Sequence, residues 1–243
     1  MHQDFLSDIE LYYCDEIDSS NNSVTISDDE VYHAINVMRN SEGSILYVTD
    51  GKGAIYKTEI IEIRKSEVSL AILNVHRYQN DFANIFFCIP RLKNKERFEF
   101  SIEKCVELGI TNFIIFESDR TVSKGDKRDK WHKMGISAMK QSLRAYLPDF
   151  VFEESIDSLV LKRTDKKNKI YLLDQKAENH FLKIIDEVFS GIQNSYFIFG
   201  PEGGISEREL YILKEASFVR LTGNRLRSET AIISAGILLG QIL

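Results

Sequence analysis

Residues 195–210 read SYFIFGPEGGISEREL. A short apolar run, Tyr196-Phe197-Ile198-Phe199, stops at Gly200-Pro201-Glu202-Gly203-Gly204. Ser206-Glu207-Arg208-Glu209 follows with the Ser-x-x-Glu spacing of a capping box, which starts a helix. Strand, bare turn and helix start in that order make one unit of an α/β sheet. Glycine at such a junction lets backbone approach a ligand closely. Phosphate is the wrong ligand, because neither G-x-x-x-x-G-K-[ST] nor G-x-G-x-x-G is present. What remains is a rigid loop whose main chain can hydrogen-bond the edge of a base or nucleoside.

The same alternation extends in both directions. IFFCIP (85–90), NFIIFE (112–117), IYLLD (170–174) and FVRL (218–221) read as strands. NKERFEFSIEKCVELG places Phe98, Ile102, Cys105 and Leu108 on one helical face, with Gly109 where a helix-ending glycine belongs. DKWHKMGISAMKQS turns Trp131, Met134 and Ala138 inward, and ENHFLKIIDEVF (178–189) and SERELYILKEA are further helices. A last helix starts at about Glu229. This is an α/β pattern with a parallel sheet and helices on both faces.

Before about residue 80 the period is that of strands. Tyr12-Tyr13, Val24-Thr25-Ile26, SILYVTD, AIYKTEIIEIR and VSLAILNV predict strands, with Asp50-Gly51-Lys52-Gly53 as a hairpin turn. Ser27 and Glu30 have capping-box spacing, and Val31, Ala34, Ile35 and Met38 continue a helix to about Arg39. A small β-barrel with one helix fits. The polar, aperiodic HRYQNDFAN (76–84) is the boundary, giving domains 1–80 and 81–243.

The chain's 243 residues are 43% hydrophobic and 28% charged, the balance of a soluble globular protein. No apolar run reaches membrane-spanning length, and the acidic, polar MHQDFLSDIE is unlike a secretory signal, so a cytoplasmic protein without membrane partners is expected. Cys14, Cys88 and Cys105 are far apart and read as reduced thiols; the histidines are scattered, and no metal is expected. Net charge is −6, yet RLKNKER (91–97) carries four cations against one acid, a local footprint for nucleic acid.

Ligands of open parallel sheets bind at the carboxyl ends of the strands. Three ends are distinctive: Leu172-Leu173-Asp174, Gly200 to Gly204, and LTGNRLRSETA (221–231). Asn224 suits a left-handed turn position. The final helix is apolar nearly all round (Ala231, Ile232, Ile233, Ala235, Ile237, Leu238, Leu239), which points to burial in a subunit interface.

FIFGPEGGISEREL followed by LTGNRLRSETAIISAGILLG closely resembles the RsmE family of SPOUT methyltransferases. RLKNKERFEFSIEKCVELGI, SDRTVSK and HAINVMRN resemble further segments of that family, so the likeness covers most of the chain. Residues 1–9 are extra length before the family's usual start, and Lys140 stands where the family more often has an acid. The resemblance implies a C-terminal SPOUT domain with a trefoil knot, an N-terminal PUA-like RNA-binding barrel, and a homodimer. It implies transfer of a methyl group from S-adenosylmethionine to N3 of a uridine in small-subunit (16S) ribosomal RNA. Ribose 2′-O methylation and a non-catalytic RNA-binding assembly factor are the alternatives.

The resemblance also implies the cofactor residues. They are Leu172, Leu173 and Asp174 on the first strand end; Ile198, Phe199, Gly200, Glu202, Gly203 and Gly204 on the second; and Leu221, Gly223, Asn224, Leu226, Arg227, Ser228 and Thr230 on the third. Arg227 and Glu229 are the catalytic candidates: Arg227 stabilises the uracil oxygens or the cofactor carboxylate, and Glu229 holds Arg227 or takes the N3 proton. The bland alternative is an ion pair between the two at the start of the last helix. Glu202 reads as an acceptor for backbone N–H groups. Arg91, Lys93, Lys95 and Arg97, with Arg39 and Arg120, are the expected contacts to ribosomal RNA or the small subunit.

Overall fold

The computed structural model describes residues 6–18, 21–163, 165, 167–190 and 194–241; most of the extra N-terminal length, residues 1–5, lies outside them. The chain divides into two compact units, Met1–Asn80 with Ile136–Leu147, and Asp81–Gly135 with Pro148–Leu243.

The first unit is one bent six-stranded sheet. Its strands are β1 (Leu11–Tyr13), β2 (Ile17–Asp18), β3 (Ser23–Ser27), β4 (Ile45–Thr49), β5 (Ala54–Ile63) and β6 (Glu67–Arg77). Their order is β1-β4-β5-β6-β3-β2, antiparallel except for β1 beside β4. The expected PUA-like barrel is thus a half-barrel. Register shifts at Lys57/Thr58 and Ile60/Glu62 bend the long β5–β6 ladder, as bulges do. Alternate residues Val24, Ile26, Leu46, Val48, Val68 and Leu70 face one core with Tyr12 and Tyr56.

The predicted helix is shorter and irregular: α1 (Asp28–Val31) runs into a π-helical turn, Tyr32–Val37. The Glu30 carboxylate accepts from Lys140 Nζ, which also lies over the Tyr12 ring. Lys140 therefore has a place in this unit's packing. The Asp50–Gly53 turn is more than a hairpin connection. Gly51 and Gly53 have φ of +68° and +105°, and a Cβ on Gly53 would strike the Tyr146 hydroxyl at 2.4 Å. The glycines both turn the chain and admit residues 146–147 against it.

The second unit is a parallel sheet of six strands: β7 (Ile85–Pro90), β8 (Asn112–Phe116), β9 (Asp149–Glu153), β10 (Asn168–Leu173), β11 (Asn194–Ile198) and β12 (Ser217–Val219). The order is β12-β10-β11-β7-β8-β9. Its helices are α2 (Lys95–Glu107), the first half of α3 (Arg128–Gln141), α4 (Ile156–Leu161), α5 (Ile185–Phe189), α6 (Glu207–Ile212) and α7 (Ser228–Gly240). One sheet face, with Cys88, Ile114, Leu172 and Ile198, packs on Ile156 and Leu159 of α4 and on Leu213 behind α6. The other carries a stack of Tyr171 on Phe197, at 5.1 Å, capped by Phe181 at 5.4 Å. Each fully buried phenylalanine contributes roughly 2 kcal/mol.

β9 and α4 have no counterpart in the sequence reading. Buried Glu153 ends β9 and is held by Ser158, Lys162 and Arg163 around α4. Burial raises the Glu153 pKa, but the Lys162, Ser158 and Arg163 contacts outweigh it and keep the group below its ordinary value. The predicted helix 178–189 is a 3-10 turn, Phe181–Ile184, followed by the short α5. α7 packs along α2, where Gly236 leaves only 3.1 Å between a would-be Cβ and Leu108. Cys14, Cys88 and Cys105 are free, and burial pushes the Cys88 and Cys105 thiols up, keeping them inert.

Candidate active site

The site lies where β10, β11 and β12 end. Asp174 N donates to Val219 O at 2.9 Å, extending the β10–β12 pairing, and Phe181 N donates to Arg220 O at 2.9 Å. Phe199 N donates to Cys88 O at 3.0 Å, tying the end of β11 to β7. These ties hold three loops around a cavity of about 750 Å³. Leu172, Leu173 and Asp174 form its first wall, Phe199, Gly200, Glu202, Gly203 and Gly204 the second, and Leu221, Asn224, Leu226, Arg227 and Ser228 the third. Glu229 and Arg97 also line it. Of the expected cofactor residues, Ile198 is buried in β11, and Gly223 and Thr230 lie outside the lining. Thr222 and Arg225, within the expected 221–231 wall, also line it, as do Gln175, Lys176, Ile205 and Leu210, which the sequence reading does not include. Each sits within a few residues of a predicted wall, so proximity in sequence is the available signal.

The glycine loop is fixed from outside the cavity. Glu202 accepts from Lys93 N at 3.0 and 3.3 Å, so it takes a backbone N–H just ahead of α2. Gly204 needs its glycine, with φ of +74°. Gly200 does not: a Cβ there would meet only Ile205, at 3.6 Å or more, and its φ is ordinary. Ser206 and Glu209 form the capping box reciprocally, at 3.1 and 2.8 Å, a motif that contributes about 1 kcal/mol. The turn at 222–224 is built on Thr222 Oγ1, which accepts from Asn224 N at 3.1 Å and donates to Asn224 O at 3.0 Å. Asn224 is not among the residues with positive φ, so the hydroxyl replaces the expected left-handed turn.

α7 begins at Arg227 with no side-chain cap. Its first N–H groups and the positive end of its dipole border the cavity. The ion pair here is not Arg227 with Glu229. Glu229, whose side chain is 14% exposed, meets Arg97 at 3.3 Å. Arg227 is exposed and makes no ion pair among the described residues.

The cationic residues separate into different roles. Arg91 is buried, with its guanidinium 5.4 Å from the Trp131 ring centre and 5.8 Å from that of Phe98, and it donates to Gly125 O. Its charge serves packing, so the expected RNA contact at Arg91 is withdrawn. Lys93 and Lys95 are exposed; the neighbouring Lys130 ammonium pushes the Lys95 pKa down. Arg120 Nη1 donates to Gly203 O at 2.7 Å. Arg39 belongs to the first unit, in a left-handed conformation with φ of 58°.

A network stands behind Arg120. Asp119 N donates to Glu209 Oε1 at 2.9 Å, and Ser206 Oγ donates to Asp119 Oδ2 at 2.5 Å. Arg208 clasps Asp119 through Nε and Nη2, at 3.0 and 2.7 Å, and Asp157 through Nη1 at 2.8 Å. Arg208 and Ser206 hold the Asp119 carboxyl down at about 2. A depressed carboxylate loses its contribution only as pH falls through that folded value, so the network persists through the neutral range.

Two family models match the chain. An RNA methyltransferase domain covers residues 80–240, and an RNA methyltransferase PUA domain covers residues 26–73. The chain is 28% identical over 222 residues to ribosomal RNA small subunit methyltransferase E of Bacillus subtilis, covering 87% of each chain. It is 26% identical over 243 residues to the protein of the same name from Mycobacterium tuberculosis, covering 96% of this chain and 90% of that one. The crystal structure of a ribosomal RNA small subunit methyltransferase E from Neisseria gonorrhoeae, bound to S-adenosyl methionine, superposes with a TM-score of 0.83 at 25% identity, covering 96% and 98% of the two chains. With the cavity at the carboxyl ends of its parallel strands and a family model spanning residues 80–240, the chain belongs to the RNA methyltransferase domain family.

Proposed function

We propose that this protein transfers a methyl group from S-adenosylmethionine to N3 of a uridine in small-subunit (16S) ribosomal RNA. The observation that carries the reading is the cavity between the glycine loop and residues 221–231. Its walls combine glycine backbone, leucines and the carboxylates of Asp174, Glu202 and Glu229. That mixture fits a cofactor with an adenine edge, an apolar linker and a positive sulfonium. Gly200 supports the fit, since neither packing nor φ requires a glycine there. The uncapped start of α7 suits the methionine carboxylate. The bound cofactor supplies a methyl group on sulfur, already activated for attack. The chain must hold the uridine in line with it and favour loss of the N3 proton. Arg227, free of an ion pair, is the cation for the uracil oxygens, while Glu229 holds Arg97. Residues 221–231 pass through the loop region of 200–204 as a trefoil knot in this reading. Ile237, 42% exposed on α7, with half-buried Ala231, Ile233 and Leu238, forms the dimer face.

Mass spectrometry of ribosomal RNA nucleosides from a deletion strain tests the reaction. Loss of 3-methyluridine supports it; its persistence removes the reading, and loss of a ribose-methylated nucleoside instead assigns the alternative target. RNA recognition has its own test. Replacing Lys93 or Lys95 by alanine weakens RNA binding about equally across sequences and lowers the salt slope by roughly one for each lysine replaced. A slope unchanged in filter binding across a salt series would take these lysines out of the interface.

A further inference from the structure

The loop that follows β8 is bolted to the glycine loop by contacts that no part of the proposed chemistry uses. Residues 118–121 form a closed turn: Thr121 N donates to Ser118 O at 2.9 Å, and Ser118 N donates to Thr121 Oγ1 at 3.1 Å. One carboxylate then joins this turn to α6. Glu209 is fully buried and accepts from Asp119 N through one oxygen and from Ser206 N through the other. The Asp119–Arg208–Asp157 chain repeats the link at the surface and carries it on to α4. Arg120 stands on this base. Its Cβ lies 3.2 Å from where a Cβ of Gly203 would be, and its guanidinium holds the Gly203 carbonyl.

Without these ties the loop around Gly203 is held by the Glu202–Lys93 contact, the Gly204 N–Pro201 O turn at 2.8 Å and the capping box beyond it. We infer that Arg120 is a positioning residue for the cofactor loop, fixed in place by the Asp119–Arg208–Asp157 network, and not a phosphate contact. The inference rests on the reading of the cavity as the S-adenosylmethionine site. It assigns Arg120 a task different from that of the exposed lysines at the start of α2. Buried Glu209 carries the fold of the junction, so its removal would confound any test. Arg208 is half-exposed and does not line the cavity, and its two carboxylate partners stay in contact with solvent when it is removed. Arg208 is therefore the cleaner probe.

The experiment uses the full-length chain. S-adenosylmethionine affinity is measured by titration calorimetry, RNA affinity by filter binding, and kcat and KM by single-substrate variation, for wild type, Arg120→Ala, Arg120→Lys and Arg208→Gln. Arg120→Ala is expected to weaken cofactor binding roughly ten-fold, the scale of a lost charge-assisted hydrogen bond. Its RNA affinity and salt slope stay at wild type. Arg208→Gln shifts cofactor affinity in the same direction by a smaller factor, with the melting temperature little changed. Arg120→Lys, which keeps a donor for the Gly203 carbonyl, recovers part of the loss. Wild-type cofactor affinity in Arg120→Ala, together with weakened RNA binding and a lower salt slope, overturns the inference and returns Arg120 to the RNA interface. Equal cofactor losses in Arg120→Ala and Arg120→Lys with normal affinity in Arg208→Gln also overturn it. Failure of the wild type to bind S-adenosylmethionine would instead refute the reading of the cavity itself.

Discussion

Gly200→Ala is expected to fold normally and to lose S-adenosylmethionine affinity by roughly ten- to a hundred-fold, the effect of one methyl group forced into a filled site. The prediction follows from the difference between neighbouring glycines. Gly204, with φ of +74°, would be strained by any side chain. Gly203 faces Arg120 too closely to take a methyl group without a shift. Gly200 has neither constraint, yet it lines the cavity. Its backbone conformation accepts alanine, and reduced freedom of the unfolded chain even favours the substitution slightly. Thermal melting of the cofactor-free protein should therefore match wild type, while calorimetry shows the affinity lost. A variant with normal melting and normal cofactor affinity would mean that the ligand does not approach Gly200.

The contrast also explains what the sequence could and could not reveal. The capping box at Ser206 and Glu209 is legible because both partners lie within one turn. The three strand ends are legible because glycine and polar residues interrupt apolar runs there. Interactions that join distant segments leave no local pattern. Nothing in DGKG signals that Tyr146 will close on Gly53, and nothing in RLKNKER signals that Arg91 will turn inward between Phe98 and Trp131. Arg227 and Glu229 suggest a pair because they are two residues apart. The structure gives Glu229 to Arg97, a partner 132 positions earlier in the chain. The edge strand β9 escapes a sequence reading for a related reason. Its five residues, DFVFE, end in a buried glutamate whose cationic partners, Lys162 and Arg163, come from the residues just after α4. A trefoil knot, which only the family resemblance raises, would be of the same kind, because no periodicity encodes it.

That re-pairing sets the expected behaviour of Arg227. Arg227→Ala should lower kcat by about a hundred-fold at neutral pH, the loss seen when one preorganised charge donor is removed from a developing anion. In the proposed reaction, uridine N3 loses its proton before its lone pair attacks the methyl group, and the charge left behind spreads onto the uracil oxygens. A guanidinium free of other partners can stabilise that charge. As pH rises, solvent base removes the proton more readily, so the deficit in kcat relative to wild type should narrow. Cofactor carboxylate binding by Arg227 would give a different result: KM for S-adenosylmethionine would rise, and high pH would restore nothing. Glu229→Gln separates the remaining role. If Glu229 only holds Arg97, glutamine keeps an oxygen for that contact, and the pH dependence of kcat stays where it is in the wild type. Loss of the rising limb of the profile in Glu229→Gln would instead make the carboxylate the proton acceptor, with Arg97 as the group that orients it.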